Sequence, residues 1–129
     1  MTALHVSASL VLYRPDLPSV EQTLIALQEA GQFARATYDL ELHITLVDNS
    51  ADPVVYGQLG EWLEGFKNRM PTWTVRLERA SGNVGYGRGN NLVIERVTSS
   101  YHIVVNPDLF VAQDALLEAL HFMEGRPDV

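Results

Sequence analysis

Four short apolar runs, each followed by a segment of helical periodicity, constrain this chain more than any other feature. Residues 5–13 read as a strand whose end, Leu10-Val-Leu-Tyr13, is continuously apolar, as expected of a parallel strand covered on both faces. Arg14-Pro15-Asp16-Leu17-Pro18 is a turn, and Ser19 then fits an N-cap with Gln22 three residues on, as in a capping box. Val20, Leu24, Leu27 and Ala30 recur at helical spacing, predicting an amphipathic helix over 19–36. A second strand runs from Leu40 to Val47 and ends at Asp48-Asn49-Ser50. Asp52-Pro53 caps a second helix over 53–69, with Val55, Leu59, Trp62, Leu63 and Phe66 on its buried face. Thr72 to Glu78 is a third strand, and a glycine-rich loop leads to a helix around 88–98 and a strand over 101–105. Gln113 or Asp114 opens a last helix with Leu116, Leu117, Leu120 and Met123 inward, stopped by Gly125 and Pro127.

Strands alternating with helices imply parallel pairing and right-handed crossovers. The expected fold is therefore α/β, a Rossmann-like, doubly wound, mostly parallel sheet. Residues 1–129 are one domain's length and show no internal linker or repeat. The chain stops at Arg126-Pro-Asp-Val129, where another strand would begin, and four parallel strands are few for this class. An N-terminal piece of a longer protein is the expectation.

In open α/β sheets, ligands sit beyond the carboxyl ends of the strands, at the switch in strand order. That rule selects Tyr13-Arg14, Asp48-Asn49-Ser50, the stretch Gly82–Asn91 and Asn106-Pro107-Asp108. All four carry polar or special residues. Gly82, Gly85, Gly87 and Gly89 fall within eight residues. Such density sacrifices packing and backbone entropy, and close approach of a ligand to main-chain N–H groups is one reason for it. The stretch is not G-x-x-x-x-G-K-[ST], and Gly85-x-Gly87 followed by Asn90 lacks the third glycine of G-x-G-x-x-G. Arg88 has the planar fork to meet a phosphate, although a lone arginine is more often simply solvated. Asp48 suits hydrogen bonds from a base or ribose, or equally the capping of a turn. Asp108 suits a divalent cation shared with phosphates, or equally an Asn-Pro-Asp turn.

Bulk properties exclude several classes. A net charge of −7 argues against general nucleic-acid binding, which needs a basic footprint. No run approaches the roughly 18 apolar residues of a membrane span, and the first residues lack the pattern of a signal peptide. The absence of cysteine excludes disulfides and thiolate metal sites. His5, His43, His102 and His121 are scattered without H-x-x-x-H or H-E-x-x-H spacing and read as structural. Trp62 and Trp73 read as packing residues.

Three segments in order, Val47-Asp48-Asn49-Ser50-Ala51-Asp52, Asn83-Val84-Gly85-Tyr86-Gly87-Arg88-Gly89-Asn90-Asn91 and Val105-Asn106-Pro107-Asp108, resemble the inverting family 2 glycosyltransferases of GT-A fold. The bacterial rhamnosyltransferase-like branch, which builds O-antigen and other cell-surface polysaccharides, is the most similar in pattern. The resemblance implies that Tyr13 and Arg14 border the nucleobase and that Asp48 hydrogen-bonds it. It implies that Asn83, Gly85 and Arg88 line the diphosphate and sugar, with Asn90 and Asn91 opening the next helix. Asn106-Pro107-Asp108 stands at the D-x-D motif with Asn106 in the first acidic position, so Asp108 would hold Mg2+ or Mn2+ against the donor. The implied partners are a dTDP- or UDP-sugar, rhamnose being a candidate, and a glycan or lipid-linked acceptor. The implied location is cytoplasmic, including the inner face of the membrane. In the family the catalytic base lies later, in the acceptor-binding half, so no catalytic residue is assigned and the chain alone is expected to be inactive. Two other readings remain: an NAD-type oxidoreductase domain with Asp108 on ribose, and a non-catalytic nucleotide-binding module.

Overall fold

A computed structural model describes residues 3–69, 74–80, 85–96, 98–108 and 111–126, without the side chain of Tyr86. The element order is β1 (Leu4–Leu12), α1 (Leu17–Ala34), β2 (Leu40–Asp48), α2 (Pro53–Arg69), β3 (Thr74–Arg79), α3 (Tyr86–Ile94), β4 (Tyr101–Val104) and α4 (Ala115–Glu124). The described strands form one parallel sheet in the order β3-β2-β1-β4. The chain steps outward from β1 to β3 and then returns across to the far side of β1. With right-handed crossovers this reversal must move α3 to the face opposite α1 and α2, and the packing follows it. The fold class read from the alternation is thus the one observed.

The period of two along each strand decides which residues meet which helices. Val6, Ala8, Leu10 and Leu12 of β1 join Leu40, Leu42, Ile44 and Leu46 of β2 in one large cluster with α1, α2 and α4. The helical stripe Val20, Leu24, Leu27 and Ala30 is fully inside this cluster. A buried leucine of this kind contributes about 1.5–3 kcal/mol. Leu59, Leu63 and Phe66 of α2 and Leu116 and Leu120 of α4 complete the core, with Val55, Trp62 and Leu117 packed at its margin. Trp62 is thus a packing residue, and its indole also donates to Glu21 at 2.8 Å. Trp73 lies outside the described residues. On the other face a small cluster of Val11, Val47, Ala80 and Val93 seats α3 at the carboxyl end of the sheet. Towards the amino end that face carries His5, Ser7, Glu41, His43 and Thr45 instead.

Two helix starts differ from the sequence reading. The N-cap of α1 is Asp16, not Ser19; its carboxylate accepts from Ser19 N at 3.3 Å and Ser19 Oγ at 2.6 Å. Leu17 and Pro18 therefore lie inside the first turn, where a proline's missing N–H costs nothing. Helix α3 starts at Tyr86 rather than near 88 and ends at Ile94, so Gly87 is helical rather than part of the loop. Gly85 is its N-cap, with φ of 84° that a side chain rarely adopts. Gly89 is needed for another reason: a Cβ there would lie 2.8 Å from Val11 Cγ2. At this position the glycine lets a helix approach a strand.

Candidate functional site at the carboxyl edge

The reversal between β1 and β4 places their carboxyl ends side by side, with β2 next to β1. Leu12 is paired in register with Asp48, and Asn49 N donates to Leu12 O at 2.8 Å. Val105 N donates to Ser9 O at 2.9 Å, which carries Asn106-Pro107-Asp108 past the same edge. The tight seat of Gly89 on Val11 brings the first turn of α3 over the end of β1. Tyr13, Arg14, Asp48, Gly85, Arg88, Asn106 and Asp108 therefore share one end of the sheet, and Asn83 lies outside the described residues.

Asp48 is the most unusual of these. It is 1% exposed. Its Oδ1 accepts from Ser50 N at 3.0 Å, an Asx turn, and its carbonyl accepts from Ala80 N at 3.0 Å. Its Oδ2 is buried and has no hydrogen-bond partner among the described residues. The turn reading and the ligand reading of Asp48 are thus compatible, since one oxygen holds the turn and the other is left over. A buried acceptor without a donor costs about 1–3 kcal/mol, more for a charged group. A ligand N–H that reached it would recover that cost.

The backbone around Asp48 is strained. Arg14 (φ 43°) and Ala51 (φ 60°) are non-glycine residues in the left-handed region, one after β1 and one after β2. The Arg14 guanidinium lies 3.3 Å from Asp52 Oδ2, tying the end of β1 to the start of α2. Asp52 also caps α2, accepting from Val54 N at 2.9 Å. That backbone donor, with Val55 N and Arg14 adding to it, holds the Asp52 carboxyl below its usual range. Tyr13 is 56% exposed at this edge. Arg14, Pro15 and Leu17 face Val55, Gln58 and Leu59 across a cavity of about 240 Å³ between the starts of α1 and α2.

Arg88 lies exposed in the first turn of α3, and Asn106 and Asp108 are exposed after β4. The carbonyl of Pro107 is fixed by Thr23 Oγ1 of α1 at 2.9 Å, so the Asn-Pro-Asp segment is anchored although its polar side chains face outward. Asp108 offers a carboxylate, an oxygen donor of the kind that suits Mg2+ or Mn2+ sharing most ligands with phosphate and water. Among the described residues it joins no group of three ligating side chains.

Asn90 lies in the middle of α3 rather than opening it, and it and His102 have partners that the sequence does not announce. Asn90 is 4% exposed and its Oδ1 accepts from Ser9 Oγ at 2.6 Å. Ser9 also meets His102 Nε2 at 2.8 Å, and His102 Nδ1 meets Ser7 Oγ at 2.6 Å. Ser7 Oγ lies 2.7 Å from Ser99 Oγ. Ser9 gives its only hydrogen to Asn90, so Nε2 of His102 carries a proton and donates to Ser9. Burial pushes the imidazole below its ordinary pKa, which favours the neutral ring, with Nδ1 then accepting from Ser7. Asn90 is thus clipped to β1 and His102 to both serines. The signal was the pair Ser7-x-Ser9 on β1.

The fold defined by these elements is that of the Rossmann-like nucleotide-binding half of GT-A proteins. Among solved structures, residues 1–349 of S. aureus TarS superpose with a TM-score of 0.64 at 17% identity, over 96% of this chain and 33% of that one. A second TarS structure gives 0.60 at 16% identity, over 95% of this chain and 20% of that one. TarS is a GT-A type wall teichoic acid glycosyltransferase. The chain thus spans a third or less of the length of these neighbours. No protein-family model and no curated protein matches the sequence. Among the described residues no helix is long and apolar enough to cross a membrane.

Proposed function

We propose that this chain is the donor-binding unit of an inverting glycosyltransferase of the family 2 kind, taking a UDP- or dTDP-sugar. The observation that carries the reading is Asp48: a buried carboxylate at the carboxyl end of β2, with one oxygen lacking a donor among the described residues. Uracil and thymine both present a ring N–H between two carbonyls, the kind of donor such an oxygen accepts. The likeness of fold to TarS supports the class. Tyr13 and Arg14 would border the base, and Gly85 and Arg88, with Asn83, the diphosphate and sugar. Asn106 and Asp108 would face the diphosphate, and Asp108 would hold Mg2+ or Mn2+. When bound, that cation neutralises charge on the departing nucleoside diphosphate. Rhamnose is the candidate sugar, and a cytoplasmic-face glycan or lipid-linked intermediate of a surface polysaccharide such as O-antigen the candidate acceptor.

A dinucleotide oxidoreductase is the weaker reading. In that class the glycine turn follows the first, central strand; here Gly85 and Gly87 follow β3, at the edge of the described sheet.

Calorimetry tests the assignment. Asp48→Ala should weaken UDP or dTDP binding by about tenfold or more, about 1.4 kcal/mol or more. Asp108→Ala should abolish the dependence of that binding on Mg2+ or Mn2+. Unaltered nucleotide affinity in Asp48→Ala would refute the base-binding role, and unaltered metal dependence in Asp108→Ala the cation role. No residue here is assigned as the base that deprotonates the acceptor, so the 129-residue chain should bind donor without transferring sugar.

A further inference from the structure

At the opposite end of the sheet, three side chains converge that the chemistry above does not use. Glu41 and His43 are two residues apart on β2 and so project from the same face. His5 stands directly opposite Glu41 in the β1–β2 register. His5 Nδ1 lies 3.5 Å and His43 Nε2 3.6 Å from the same oxygen, Glu41 Oε2. The ligand atoms of all three residues fall within 4.8 Å of one another. The two imidazoles are nearly parallel, with centroids 5.8 Å apart and planes 11° apart.

These separations discriminate between two roles. A charge-assisted hydrogen bond between nitrogen and carboxylate closes to about 2.7–2.9 Å, and both contacts are well beyond that. Ligands about 2.1 Å from a tetrahedral metal stand about 3.4 Å apart along the edge of the tetrahedron, and both contacts are close to that. The donor set is also selective. Two imidazoles and one carboxylate suit Zn2+ and its first-row neighbours, whereas Mg2+ prefers oxygen alone. The three side chains are about half exposed, so an ion can reach them. His5 and His43, though not Glu41, border a cavity of about 340 Å³ that also reaches Thr74, Arg76, Arg96 and Ser99 and has room for water or a small anion beside the two imidazoles.

We propose that His5, Glu41 and His43 form a binding site for a divalent transition-metal ion of the Zn2+ type. It is separate from the carboxyl edge: His43 precedes Asp48 by five residues, roughly 16 Å along β2. An ion held here cannot reach a donor diphosphate there. It links β1 to β2 across their first turns of pairing, where His5 and Glu41 come together only once the strands are in register. Metal binding and correct β1–β2 pairing are therefore coupled.

The test is titration of the untagged protein with Zn2+ against a chromophoric chelator, and with Co2+ followed by visible absorption. One equivalent of Zn2+ should bind at micromolar concentration, and Co2+ should give the intense d–d bands of a low-coordinate site. His5→Ala and His43→Ala should each weaken Zn2+ binding by about tenfold or more, and His121→Ala should leave it unchanged. Saturating Mg2+ should not compete. Stoichiometric binding that survives in the His5→Ala/His43→Ala double variant would overturn the proposal, as would no binding at a hundredfold excess of Zn2+. If the variants do not fold, paramagnetic broadening of amide signals by Co2+ in the unaltered protein decides it. Broadening centred on residues 5 and 41–43 supports the site, and broadening centred elsewhere refutes it.

Discussion

Replacing Gly89 by alanine isolates what the glycine density is for. In a helix interior alanine is favoured over glycine by about 1 kcal/mol, so propensity alone predicts stabilisation. The packing predicts the reverse. The new Cβ would lie 2.8 Å from Val11 Cγ2, 3.0 Å from Val11 Cγ1 and 3.5 Å from Val11 Cβ. Val11 cannot turn aside: it is β-branched and stiff at χ1, 6% exposed, and sits on a strand paired on both sides. Overpacking of this kind costs about 1–3 kcal/mol. Set against the propensity gain, Gly89→Ala should be net destabilising by about 1 kcal/mol. Gly87, two residues earlier in the same helix, has nothing within 4 Å of a Cβ. Gly87→Ala should therefore stabilise by about 0.5–1 kcal/mol. Urea unfolding followed by circular dichroism measures both. The pair should have opposite signs, and Val11→Ala combined with Gly89→Ala should cost less than the sum of the two single changes. A neutral or stabilising Gly89→Ala would refute the close approach of α3 to β1.

The remaining predictions concern the cap and the buried network. Asp16→Ala should cost about 0.5–2 kcal/mol, whereas Ser19→Ala should cost less, because the main cap acceptor is the Asp16 carboxylate; equal costs in equilibrium unfolding would restore Ser19 as the cap. His102→Ala leaves Ser7 and Ser9 without an imidazole partner and should cost about 1–3 kcal/mol. The folded protein holds His102 below its ordinary value near 6.5, so the unfolded chain binds more protons. Stability from this residue is fully present above about pH 6.5 and is lost as pH falls towards the lower folded value. Unfolding free energies at pH 7 and 5 should differ less in His102→Ala than in the parent; an identical pH dependence would contradict the assigned neutral ring.

The parts legible in the sequence are those that local periodicity controls. Val20, Leu24, Leu27 and Ala30 announce the buried face of α1, and Asp52-Pro53 announces the start of α2, because each pattern is complete within a few residues. The parts that escaped depend on partners far along the chain. Ser19 mimicked a cap because Gln22 completed a local motif, although Asp16 stood three residues earlier. Gly87 read as loop because intrinsic propensity says so, and nothing local announces that Val11, on a distant strand, sets what position 89 can hold. His5 and Glu41 meet through a register offset of 36 residues (Leu4 opposite Leu40) that no spacing rule encodes. At the carboxyl edge, the residue types and their order could be read in advance. The burial of Asp48 and the strain at Arg14 and Ala51 could not, because they arise from neighbouring strands and backbone geometry.

The proposed role of the carboxyl edge of this sheet is to bind a nucleoside diphosphate. Amide chemical-shift mapping with UDP or dTDP, in the presence of Mg2+, tests it most directly. Saturable shifts should be confined to residues 13–14, 48–52, 85–88 and 106–108, with NADH producing none. Shifts absent from that edge, or a saturable response to NADH there in place of UDP and dTDP, would contradict it.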